Sequence, residues 1–82
     1  MEQSEQRVAW ITGAGTGIGE AAAVALAESG IRVVLSGRRR EMLDAVAERI
    51  GPLATVAELD VADKEAVAAV AERIRADFGR ID

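Results

Sequence analysis

Cysteine is absent from this sequence. No disulfide therefore helps the fold, and the composition fits a reducing compartment. Histidine is absent as well, which leaves metal binding and Ser-His nucleophilic chemistry without their usual residue. No apolar run approaches membrane length, and the opening "MEQSEQ" has no charged-then-apolar signal region. A soluble, cytoplasmic protein with no membrane partner is expected. Positive charge is scarce too: the formal net charge is −4, so a phosphate backbone is repelled overall and nucleic acid is excluded as a partner.

What the chain does have is apolar residues, half of its 82 positions. That is enough for one small domain and too many for a disordered chain. Three short apolar runs alternate with three segments of helical period. Val8 to Ile11 is apolar on both faces, as buried parallel strands are. Gly17 to Ser29 is alanine-rich and stops at Gly30. Ile31 to Ser36 reads as a second strand. Met42, Leu43, Val46, Ala47 and Ile50 form one helical stripe, stopped by Gly51-Pro52. Ala54 to Leu59 reads as a third strand. Asp63 caps a last helix whose stripe is Val67, Val70, Ala71, Ile74 and Phe78, with Gly79 beyond it. The order β-α-β-α-β-α with short connections implies a parallel sheet covered by helices. It corresponds to part of a three-layer, Rossmann-type α/β fold, with a partial doubly wound sheet of strand order 3-2-1. Residues 1–82 read as the N-terminal part of a single dinucleotide-binding domain, with residues 1–6 a disordered tail. The sequence stops at "FGRID", where a fourth strand should begin, so the free flank of Val8 to Ile11 is expected to be open. Such a flank invites self-association and a homo-oligomer.

The densest local signal is "TGAGTGIG", Thr12 to Gly19, between the first strand and the first helix. A P-loop needs Gly-Lys-Ser/Thr, and no lysine lies near. The GxGxxG fingerprint also fails, because Ile18 or Glu20 stands where its last glycine is required. GxxxGxG does match, on Gly13, Gly17 and Gly19. Three glycines in this context let the chain turn out of a strand, let backbone approach a pyrophosphate and let helix pack closely on strand. The first-turn amides then face phosphate with the positive end of the helix dipole. Thr12, Gly13, Gly15, Thr16, Gly17, Ile18 and Gly19 are the candidate loop residues. Further on, the acid that would accept from a ribose 2′-OH is missing: Gly37 stands about twenty residues past the loop, followed by Arg38, whose planar fork suits a phosphate.

"TGAGTGIG" matches the TGxxxGxG motif of the short-chain dehydrogenases/reductases. "VVLSGRRR" resembles the end of the second strand in their NADP-preferring members, "LDVAD" their acidic motif after the third strand, and "FGRID" the approach to the fourth. The resemblance runs collinearly from about Arg7 to Asp82. It implies an NADP cofactor, with NAD as the alternative. Arg38 is then expected to hold the 2′-phosphate, helped by Ser36 and Arg39, with Gly37 in the place of the NAD-type acid. It implies Asp60 as acceptor for the adenine amino group and Val61 beside the ring. Thr16 departs from the family, some of whose NADP-preferring members carry a basic residue there. Arg40 reads as part of a solvated helix start.

Catalysis in that family rests on serine, tyrosine and lysine, the last two as Tyr-x-x-x-Lys. This sequence has no tyrosine, and its single lysine, Lys64, opens the last helix. No catalytic and no metal-binding residue is assigned. The resemblance implies the NADP-binding segment of an oxidoreductase that interconverts a small-molecule alcohol and a carbonyl by hydride transfer, a truncated chain that is inactive alone. A non-catalytic nucleotide-binding or interaction module is the alternative. A methyltransferase using S-adenosylmethionine also has a glycine loop, but normally needs an acid where Gly37-Arg38 stands.

Overall fold

A computed structural model describes residues 6–82. β1 (Val8–Thr12), α1 (Gly17–Glu28), β2 (Arg32–Ser36), α2 (Arg40–Ile50), β3 (Ala54–Val56) and α3 (Lys64–Phe78) follow in that order. The three strands form one parallel sheet in the order β1-β2-β3, with Val8 opposite Arg32 and Val33 opposite Ala54. Read from the other edge, this is the expected 3-2-1 order. β3 is shorter than the expected Ala54 to Leu59. Its pairing nevertheless continues, through Ala57 N–H to Leu35 C=O (2.9 Å) and Leu59 N–H to Gly37 C=O (2.9 Å).

Alternation along β2 divides the core into two layers. Val33 and Leu35 pack with Ala14, Ala23, Leu43 and Val46 beneath α1 and α2. Val34 packs with Val8, Ala57, Leu59, Val70 and Ile74 beneath α3. Each fully buried side chain among Val8, Val33, Val34, Leu35 and Leu43 contributes about 1.5–3 kcal/mol by leaving water. α3 starts where Asp63 Oδ1 accepts from Ala66 N–H (3.1 Å), and it ends at Gly79 with φ 84°.

The β1 end bears on two expectations. The tail expected over residues 1–6 lies outside the described residues except for Gln6, whose Nε2 donates to Gly30 C=O. The flank of β1 is not fully open. Val8 N–H donates to Asp82 Oδ2 (2.9 Å), and Asp82 N–H donates to Val8 C=O (2.6 Å). Since Arg32 N–H bonds Arg7 C=O, Val8 turns its own groups away from β2, and those groups are the ones Asp82 takes. The Asp82 carboxyl is held below its ordinary value of 3.8, first by the hydrogen bond from Arg80 and then by that from Val8.

Candidate functional site

The glycine loop leaves the carboxyl end of β1 and is anchored to β2 by Ala14 N–H donating to Ser36 C=O (3.1 Å). Gly13 has φ 67°, a left-handed conformation that side chains resist. Its carbonyl accepts both the N–H (3.3 Å) and the Oγ1 hydroxyl (3.1 Å) of Thr16. A Cβ on Gly19 would lie 2.2 Å from the Gly13 oxygen, so helix and loop meet only because Gly19 has no side chain. Gly17 is different. A Cβ there would meet nothing within 4 Å, and its φ is not positive. No neighbour among the described residues requires glycine at this position; what its missing side chain leaves is bare backbone at the start of α1. Helix geometry leaves the N–H groups of Gly17, Ile18 and Gly19 without intrahelical acceptors, and Thr16 makes no side-chain cap to them. Three donors and the positive end of the dipole thus stand without an intrahelical partner, beside the 90% exposed side chain of Ile18. The one carboxylate in this turn, Glu20, is drawn into an ion pair with Arg49 of α2.

Across from the loop, β2 runs out at Gly37. Two adjoining hollows open there. One, of about 230 Å³, is lined by Gly13, Gly15, Thr16, Gly37, Arg38, Arg39, Met42 and Leu43. The other, of about 290 Å³, is lined by Thr12, Gly13, Gly37, Arg38, Leu59, Asp60 and Val61. Gly13, Gly37 and Arg38 belong to both, so the arginine stands between them. Arg38 and Arg39 are exposed; Arg39 Nη1 lies 3.9 Å from Met42 Sδ. Arg40 instead pairs with Asp44 one turn along α2 (3.1 Å), as a solvated helix start should. Asp60 is exposed, its Oδ1 accepting Ala62 N–H (2.9 Å) in a local turn. It therefore serves the turn and lines the second hollow at once.

Ser36 does not join this group. Its side chain follows Val34 onto the α3 face and is fully buried. There its Oγ donates to Ala57 C=O (2.7 Å) and accepts from Trp10 Nε1 (2.9 Å). The hydroxyl expected beside a phosphate is instead a bridge joining β1, β2 and the chain just beyond β3. Met42, Leu43 and Leu59 are the opposite case, read from sequence only as stripe or strand and found lining the hollows. Among the described residues no cluster of ligating side chains could hold a metal, and no helix is long and apolar enough to cross a membrane.

A parallel βαβαβα sheet with a glycine loop at the carboxyl end of its first strand is a Rossmann-type nucleotide-binding fold. More narrowly, the chain belongs to the short-chain dehydrogenase family, whose model matches residues 7–82. It is 43% identical over 77 residues to an uncharacterised oxidoreductase of Staphylococcus aureus strain USA300, covering 93% of this chain and 33% of that protein. Among solved structures it is similar to a metagenomic short-chain oxidoreductase in complex with NADP, with a TM-score of 0.89 at 41% identity over 96% of this chain and 38% of the other. A 3-ketoacyl-(acyl-carrier-protein) reductase from Brucella melitensis complexed with NADH gives 0.87 at 37% identity, over 93% and 31%. The chain spans about a third of the length of the curated relatives it matches.

Proposed function

We propose that this chain is the NADP(H)-holding part of a short-chain oxidoreductase that moves hydride between a small-molecule alcohol and its carbonyl. The observation that carries the cofactor choice is Arg38, standing between both hollows with Gly37 before it and no carboxylate at the end of β2. The bare backbone at Gly17 and the unpaired amides beyond it fit a pyrophosphate. Arg38 and Arg39 hold the 2′-phosphate through charge-assisted hydrogen bonds. Asp60 receives the adenine amino group in the second hollow, with Val61 against the ring. Bound there, the nicotinamide supplies the hydride chemistry. This chain's contribution is to bind and orient. It has no tyrosine, so the group that moves a proton at the substrate oxygen lies outside these residues, and the chain alone is inactive.

Titration of the chain with NADP⁺ and NAD⁺ tests the choice, NADP⁺ binding the tighter. Arg38→Asp should lower NADP⁺ affinity by roughly ten- to hundredfold, the worth of a charge-assisted contact, and spare NAD⁺. Gly37→Asp should do the same, and it fits: a Cβ there meets Leu43 Cδ2 at 3.4 Å, an ordinary contact. Tighter NAD⁺ binding by the unaltered chain would refute the assignment.

A further inference from the structure

Met42 belongs to the apolar stripe of α2 but to neither of the two core clusters. With no cysteine and two methionines in the sequence, Met42 is the one sulfur among the described residues. It sits in the first turn of α2, half-buried, in the wall of the arginine-lined hollow. Its Sδ accepts from Arg39 Nη1 at 3.9 Å. On the other side, its Cβ lies 3.1 Å from where a Cβ on Gly15 would stand, so the glycine loop is pressed against the root of this side chain. The side chain thus starts against the glycine loop, brings its sulfur to a guanidinium, and lines the hollow between them.

We propose that Met42 is a modification site, whose oxidation by a peroxide weakens the grip of the hollow on a 2′-phosphate; this rests on the cofactor reading above. In the step, the thioether sulfur attacks one peroxide oxygen. The O–O bond breaks, an S–O bond forms, and hydrogen peroxide leaves as water while the thioether, oxidised by two electrons, becomes a sulfoxide. A thioether is a weak acceptor that leaves the Arg39 guanidinium available. A sulfoxide oxygen is a strong acceptor formed within reach of that guanidinium, and it competes with the phosphate for the same N–H groups. Contacts that NAD⁺ and NADP⁺ share, at the α1 amides and at Asp60, do not involve Arg39.

The test uses the 82-residue chain, hydrogen peroxide and the two dinucleotides. After treatment, peptide mapping should find one added oxygen on Met42. NADP⁺ affinity should then fall by roughly three- to tenfold, as expected for competition at one of two arginines, while NAD⁺ affinity stays constant. Methionine sulfoxide reductases A and B together, one for each sulfoxide epimer, should restore the NADP⁺ value. Met42→Leu keeps the oxidisable Met1 and lacks the thioether at 42, so its own NADP⁺ affinity should not change on peroxide treatment. Oxidised Met42 with unchanged NADP⁺ affinity would overturn the proposal, as would an equal loss of both dinucleotides. Failure of the cofactor reading shows separately, before peroxide is added, as an untreated chain that does not favour NADP⁺.

Discussion

Gly17 and Gly19 are two residues apart and glycine for different reasons. Gly19→Ala would push a Cβ to 2.2 Å from the Gly13 oxygen, an overlap with backbone that no rotamer change relieves. The loop must move, at about 1–3 kcal/mol as for other overpacked sites, seen as a lower urea midpoint. Gly17→Ala meets open space and should leave the midpoint unchanged or slightly higher, since alanine suits a helix better. It should nonetheless weaken NADP⁺ binding, because the new methyl covers the bare backbone. Both glycines were legible in the sequence from spacing alone. Ser36 was not. Its neighbours Gly37 and Arg38 border the hollows, but strand alternation sends its side chain to the other face, and that parity is fixed only when β2 docks. Ser36→Ala would strand the Trp10 N–H and the Ala57 carbonyl inside the α3 layer, costing about 1–3 kcal/mol in urea unfolding, with no selective effect on dinucleotide affinity.

At the scale of elements, periodicity and stop signals were enough to place all three helices and three strands in order. Apolar residues recur with helical spacing in α2 and α3, and Gly30, Gly51 and Gly79 stand where helices end. Strand limits were less legible. β3 keeps alternate hydrogen bonds to β2 through Leu59 after its regular ladder ends at Val56, so composition continues where geometry relaxes. Contacts between elements left no local trace. The pairing of Glu20 in α1 with Arg49 in α2 joins residues whose own helices give no sign of it, and it draws a carboxylate away from the bare first turn of α1. Arg32 stacks over the Phe78 ring at 4.8 Å, pinning the end of α3 to the start of β2 by another contact that no window of sequence contains.

For the molecule as a whole, the join between Val8 and Asp82 ties the start of β1 to the far end of α3's connection. Because the folded carboxyl of Asp82 is depressed below 3.8, its contribution to stability is fully present above that value and is lost as pH falls through the lower folded value. A thermal melt should therefore show a drop on acidification below about pH 4 that is smaller in Asp82→Asn, which lacks the ionised form. Equal acid sensitivity in both proteins would show that Asp82 has no part in it. The same join has a kinetic side. Neighbouring strands here are about two dozen residues apart, with Val8 opposite Arg32 and Val33 opposite Ala54, whereas Val8 and Asp82 are 74 residues apart. Closing a longer loop is entropically dearer and slower. The successive β-α-β units can thus form first, and the outer edge of the first strand waits for Asp82 to reach it.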